Sequence, residues 1–268
     1  MRKSIILAAA FIGGISAASA GDLNGPVYKA APMPQSVYSW TGFYVGVDGG
    51  GAMSQDGMGI AGADKNAAAV VAAGAVPNHI KTDANGAFVG GFAGYNWQIN
   101  PSFVIGIETD AQWANIKGGD NRILSTAPFG FPASLTTAGN SRLDWFGTTR
   151  GRLGYLINPT VMLYGTGGAA YGGVNDTASI VLATPFPGFN GSALMANNKV
   201  QFGWAAGGGA EIAISQNINL RAEYLHMDLG TTTMAGTAIV AKTPVSFTAS
   251  QAHSYDMARI GASYKLPY

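Results

Sequence analysis

Between Phe202 and Leu229 two runs of about ten residues flank a short polar segment, Ser215-Gln216-Asn217, and this spacing predicts a hairpin. With those three residues in the turn, Ile214 faces Ile218, Glu211 lies opposite Arg221, Ile212 meets Leu220, Ala210 meets Ala222 and Gly208 lies under Tyr224. One face then carries an opposite-charge pair and the other apolar or small residues. The same alternation recurs along the chain. A first strand from Trp40 puts Phe43, Val45 and Val47 on one face and Tyr44, Gly46 and Asp48 on the other. Strands over 86–98 and 102–113 are joined by Ile99-Asn100-Pro101, so that Trp97 faces Phe103 and Tyr95 faces Ile105, with Glu108 and Asp110 on the opposite side. A strand over 142–157 places Leu143, Trp145, Leu153 and Tyr155 against Asp144, Arg150 and Arg152, and Asn158-Pro159-Thr160 leads into the next, 161–173. The last runs over 254–268, which makes eight.

Long connections at about 51–85, 114–141, 174–200 and 230–252 alternate with the three short turns, and a helical turn or two is expected at 67–73. Strict segregation of long and short connections is the habit of outer-membrane barrels. The faces agree with it. Asp48, Glu108, Asp110, Asp144, Glu211 and Glu223 fall on the same side as Arg150, Arg152, Arg221 and Arg259, while the other side is nearly free of charge. An Arg or Lys facing hydrocarbon at mid-depth costs about 2–4 kcal/mol, so an uncharged outer face has a physical cause. The expectation is an all-β, eight-stranded antiparallel up-and-down transmembrane β-barrel, apolar outside, with those ten charges pairing in a narrow lumen that leaves little room for water. Trp40, Trp97, Trp113, Trp145 and Tyr155 suit two interfacial girdles.

Composition sharpens this. Charged residues are 11% of the chain, against about 25% in ordinary soluble domains, and Gly accounts for 39 of 268 positions. No stretch after the amino-terminal run has the roughly 18 consecutive apolar residues of a spanning helix, so a membrane would be crossed with strands. Arg2 and Lys3 before the apolar run 5–15, followed by Ala18-Ser19-Ala20, read as a secretory signal over 1–20. Residues 21–39, with Pro26, Pro32 and Pro34, read as a flexible periplasmic leader, and 40–268 as the barrel. A net charge of +1 gives no reason to expect a nucleic-acid partner, and the absence of cysteine leaves no disulfide or thiolate site.

The terminal segment Arg259-Ile-Gly-Ala-Ser-Tyr-Lys-Leu-Pro-Tyr268 resembles the closing strand of outer-membrane proteins, with Ile260, Tyr264, Leu266 and Tyr268 as its assembly signal. Together with 40–46, 91–98, 151–155 and 164–172 it makes nearly all of the expected mature chain similar to the outer-membrane immunogenic protein family of alphaproteobacteria, a branch of OmpA-like barrels. The resemblance implies a porin-type surface antigen of the cell outer membrane, inserted among its lipids by the barrel-assembly machinery through that strand. Pro267 departs from the pattern and is expected to weaken pairing of the last residues.

Candidate chemistry is sparse. Gly165-Thr-Gly-Gly-Ala-Ala170 fits a dinucleotide pattern, but no helix follows it, so it reads as a glycine-rich strand. His226 and His253 flank the fourth connection and are the residues expected to meet at the outer mouth, as a weak ligand site; some relatives are associated with haemin. No metal set and no cofactor are expected. The inward carboxylates and arginines read as a structural core and not as a catalytic centre, so no enzyme is expected. The apolar runs 128–132 and 185–189 sit where a ligand or a host surface would be met. The reading is a structural, antigenic barrel with a filled lumen; its alternatives are a small-solute diffusion pore and a loop-mediated binder of haemin or a host surface.

Overall fold

A computed structural model describes residues 38–126 and 133–267. The expected signal, the leader up to residue 37, the run 128–132 and Tyr268 lie outside them. The elements in chain order are β1 (Gly42–Ser54), β2 (Gly57–Gly62), α1 (Lys65–Ala72), β3 (His79–Lys81), β4 (Ala84–Gln98), β5 (Phe103–Thr126), β6 (Ala133–Asn158), β7 (Val161–Ala183), β8 (Gly191–Ala213), β9 (Ile218–Val240) and β10 (Thr243–Lys265). Consecutive long strands pair antiparallel, and β1 pairs with both β4 and β10, which closes the sheet. β2 carries on the path of β1 along β10, and β3 pairs with β2 just before the chain enters β4. Ten segments therefore make the wall of an eight-stranded barrel with no free edge around the ring.

Each short turn is organised by one polar side chain that takes two backbone amides. Asn100 Oδ1 accepts from Ser102 N at 2.8 Å and Phe103 N at 2.9 Å, and Asn158 Oδ1 accepts from Thr160 N at 2.9 Å and Val161 N at 2.8 Å. Ser215 Oγ does the same for Ile218 N at 3.1 Å and Asn217 N at 3.4 Å. The β8–β9 register is the expected one, with Glu211 opposite Arg221 and Ile212 opposite Leu220. At β4–β5 the turn also takes in Ser102, because Asn100 captures its amide, and Trp97 pairs with Ile105 and Tyr95 with Ile107 instead of the expected partners. The slip is two residues, so every side chain keeps its face.

The expected long connections are mostly wall. β5 and β6 stay paired to Thr126 and Ala133, β7 and β8 to Leu182 and Gly191, and β9 and β10 to Val240 and Thr243. Ala241 and Lys242, with φ of 51° and 64°, close the last hairpin in the left-handed conformation that a two-residue turn demands. The sequence pattern hides these upper halves because the polarity of their two faces is exchanged. In the lower half Ile105, Ile107, Leu153 and Ile260 point outward; in the upper half of β7 the outward residues are Asn175, Thr177 and Ser179, while Val174, Ala178 and Ile180 are buried. Irregularities between Trp113 and Ile116, between Leu143 and Trp145, and between Ala252 and Ser254 mark the change.

Outward aromatics set the boundaries. Phe43, Tyr95, Trp97, Phe103, Tyr155 and Tyr264 ring the short-turn end, and Trp113, Trp145, Tyr171, Phe202 and Trp204 form a second belt. Phe103 and Trp113 are ten positions apart on β5, which at ~3.3 Å per residue and ~40° of tilt is roughly 25 Å, the height of a hydrocarbon band. Above that belt the first connection folds over the barrel interior. Asp64 caps α1, its Oδ1 accepting from Ala67 N at 2.8 Å and its Oδ2 from Ser246 N of β10 at 2.6 Å. Those two amides hold the Asp64 carboxyl below its usual range. Ala67 and Val76 then pack on Met58, Ile80, Ile180, Met195 and Phe247.

The position of the band is testable. Ile107→Arg, in the middle of the outer face, is expected to lower unfolding stability in lipid bilayers by about 2–4 kcal/mol. Leu194→Arg, at a residue 71% exposed in the upper half, is expected to change it by less than about 0.5 kcal/mol. Denaturant unfolding in vesicles checks both, and equal losses would put the band elsewhere.

Candidate functional site

At mid-depth of the band the lumen holds five carboxylates, Asp48, Glu108, Asp110, Glu211 and Glu223, interleaved with four guanidinium groups, Arg150, Arg152, Arg221 and Arg259, all buried. They come from β1, β5, β6, β8, β9 and β10, so the network ties together most of the wall. Glu108 is its hub. Its Oε1 accepts from Arg150 Nη2 at 2.9 Å, and its Oε2 from Arg221 Nη1 at 2.8 Å and Arg152 Nη1 at 3.4 Å. Asp110 accepts from Arg150 at 3.1 Å and Arg259 at 3.2 Å, and from Thr148 Oγ1 at 2.7 Å. Glu223 receives Arg150 at 2.9 Å and Arg259 Nε at 3.0 Å; Glu211 receives Arg152 at 2.7 Å; Asp48 receives Arg221 at 2.5 Å and sits 3.3 Å from Arg259.

The surplus carboxylate is met by neutral donors. Tyr44 OH donates to Glu108 at 3.0 Å, Tyr164 OH to Glu223 at 2.7 Å, Gln112 Nε2 to Asp48 at 2.7 Å and Asn219 Nδ2 to Glu211 at 3.1 Å. Burying ions is costly unless each lone pair and proton finds a partner, and this mixed set comes close to supplying them. The exceptions are Arg152 Nε, Arg221 Nε and Gln112 Oε1, which have no hydrogen-bond partner among the described residues. Both cations lie on aromatic faces, Arg221 at 3.4 Å from the Phe92 centroid and Arg152 at 4.1 Å from that of Tyr164. Room for these rings comes from glycine: a Cβ on Gly94 would stand 2.5 Å from Tyr44 Cζ and 2.7 Å from the Ile107 carbonyl oxygen.

Apolar layers close the network from both sides. Below it Trp40 is buried among Tyr38, Val104, Leu156 and Met162, its Nε1 donating to the Pro159 carbonyl at 3.1 Å. Trp40 therefore plugs the base of the lumen and does not join a girdle, and the two described residues of the expected leader include Tyr38, which is part of the plug and donates to Asn219 at 2.7 Å. Above the network Phe88 and Phe146 cross edge to face at 5.2 Å among Ile116, Leu143, Leu225 and Met257. A second polar layer follows, in which Asp176 accepts from Ser141 Oγ at 2.8 Å and Thr232 Oγ1 at 2.7 Å and lies 3.1 Å from His253 Nε2.

Three expectations change. Asp144 is not in the lumen: the bulge at 143–145 turns it outward, where Arg142 Nε lies 2.7 Å away and Asn175 Nδ2 donates to it at 2.6 Å. His226 and His253 do not meet. His226 faces outward against the Trp204 ring, 2.8 Å from Asp256, whereas His253 is buried beside Asp176, because His226 has the opposite parity to the inward Glu223 on β9 and His253 the same parity as the inward Arg259 on β10. β10 ends at Lys265, so Pro267 removes no ladder bond, and Ile260, Tyr264 and Leu266 are exposed on the outer face. Tyr44, Tyr164, Gln112 and Asn219 were missed; their signal was inward parity next to an inward charge.

The family model for an outer membrane protein beta-barrel domain matches residues 6–265. The chain belongs to that family. It is 36% identical over 232 residues to a 31 kDa outer-membrane immunogenic protein of Brucella melitensis, covering 85% of this chain and 88% of that protein. A 22 kDa outer membrane protein of Rhizobium leguminosarum bv. viciae is 31% identical over 194 residues, covering 71% of this chain and 64% of that one. Among solved structures, OprG of Pseudomonas aeruginosa covers 86% of this chain and 99% of its own, at 10% identity and a TM-score of 0.43, too loose a likeness to bear on function. This family member is thus an outer-membrane β-barrel homologous to outer-membrane immunogenic proteins.

Removing the hub isolates buried cations. Glu108→Ala is expected to cost about 3–5 kcal/mol in denaturant unfolding, because it leaves arginines without a counter-charge. Asp144→Ala, at an exposed pair, is expected to cost less than about 1 kcal/mol. Similar costs at the two positions would contradict the placement of Asp144 outside.

Proposed function

We propose that the protein is a closed surface barrel: a structural and antigenic wall element that passes no solute and displays its upper half to the exterior. The observation that carries this reading is the buried Glu108 hub with Trp40 beneath it and Phe88 and Phe146 above it, three successive fillings of one lumen. The ten expected lumen charges, less Asp144, act in it as a cross-link between strands and not as a selectivity filter or a catalytic set. Ile260 and Tyr264 on β10, which closes the ring against β1, with Leu266 just past its end, suit a terminal signal read by the assembly machinery. The name of the Brucella relative supports the antigenic part.

Contacts with a ligand or a host surface, on this reading, fall to the upper wall and its rim. A haemin-binding His pair is no longer a candidate, since His226 and His253 lie on opposite sides of the wall.

Planar-bilayer recording tests the closed lumen. The folded protein, recognised by faster gel migration before boiling than after, is expected to give no stable conductance steps. Large, long-lived openings at the same protein density would establish a diffusion pore and overturn the reading.

A further inference from the structure

The upper barrel contains a cavity of about 180 Å3 beneath the segment that follows α1, lined by Val76, Leu135, Ile180, Val240, Val245 and Phe247 among others. Nothing in the lumen's charge network reaches it. The fully buried Met58, Ile80 and Met195 belong to the same apolar cluster as its lining, and Asp176 of the second polar layer is engaged with Ser141, Thr232 and His253. Thr184, a polar residue in the lining, has its hydroxyl bound elsewhere, donating to the Phe186 carbonyl at 2.9 Å and standing 3.2 Å from Asn190 Oδ1.

Such a space is poorly suited to water, which needs two to four polar partners. Cavities of roughly 150 Å3 with Leu, Ile and Phe linings stay dry and take up guests the size of benzene. Each lining side chain that faces a void forgoes dispersion contacts which an apolar guest restores. Natural cores seldom keep voids this large, and this one is held open by a built frame: Asp64 bridges α1 to the amide of Ser246, and Ala63 N donates to the Ser246 carbonyl at 2.8 Å.

We propose that this cavity is a binding site for a small, uncharged apolar molecule of about the size of a substituted benzene, reached from the outer surface and closed toward the lumen. A charged or strongly hydrogen-bonding guest would strand its polar groups against aliphatic walls, so the chemistry selects hydrocarbon-like ligands. The site stands above the membrane band and does not depend on whether the lumen conducts.

The test is a titration of fluorobenzene into the full-length protein in lipid nanodiscs, with methyl resonances of Ile and Val observed by NMR. Ile180 and Val240 are expected to shift saturably, while the lipid-facing Ile107 and Ile260 show only the linear, unsaturable drift of probe dissolving in the bilayer. Ala238→Phe, which fills the cavity from a buried position on its wall, is expected to weaken the saturable response by more than about tenfold while heat-modifiable migration is kept. Should the Phe variant not fold, Ala238→Leu carries the same expectation. A response in the wild-type protein that never saturates, or one that is undiminished in a folded filled variant, would overturn the proposal.

Discussion

The outer side of one continuous wall passes from hydrocarbon to water, and every strand must satisfy its backbone while its side chains follow that change. Ring closure answers the first demand, since each long strand has a neighbour on both sides. The second is answered by reversing the alternation part-way up. In the band, apolar residues face out and charges face in; above Trp113 and Trp145 the upper strands read like those of a water-soluble barrel, with Thr, Ser and Asn outside and aliphatic residues inside. On β7 and β8 the same parity faces inward from end to end, and only the residue types on the two faces exchange. β6 and β9 also shift phase, at the irregularity at 143–145 and at the one where 228–231 pairs with 252–254, close to the upper aromatic belt.

The lumen follows from the same constraint. Inside a barrel this narrow, a charge layer is stable only if it is nearly complete, because any ion without a partner sits in low dielectric. Five carboxylates against four guanidinium groups would leave one charge uncompensated, and the phenols of Tyr44 and Tyr164 with the amides of Gln112 and Asn219 supply donors without adding charge. The layer is then sealed by aromatic and aliphatic side chains on both sides, which keep water from competing for its hydrogen bonds. Packing of this kind needs close backbone approach, which is why Gly94 lies under Tyr44.

The part of the fold that was legible in the sequence is the part where one rule holds throughout. Alternation from Phe43 to Asp48, the β8–β9 register and the inward side of nine of ten charged positions all follow from an inside-out sheet. Asp144 failed because it lies within a bulge, where parity carries no information until the extra residue is located. The upper strands failed because a reversed alternation, mixed with glycine and small polar residues, looks like loss of pattern. Trp40 failed for a different reason: interfacial preference and burial in a plug both draw Trp, and only the course of the chain beneath the barrel separates them. His226 and His253 were paired by their position beside the same connection, although parity counted from Glu223 and from Arg259 already gives one an outward aromatic neighbour and the other an inward carboxylate partner.

A lumen filled at three levels moves function to surfaces that water or lipid can reach. The strands run on well past the upper belt, to Thr126 on β5 and from Ala133 on β6, so the projecting part is a stiff, paired wall and not a set of slack loops. Paired strands present a fixed surface, because each exposed side chain is held by ladder bonds on both flanks. Recognition there, by an antibody or by another surface, meets little ordering cost, whereas a flexible loop must first lose conformational freedom. The reversal of alternation that keeps the band in lipid therefore also builds the rigid surface above it, and gives that surface an apolar interior of its own.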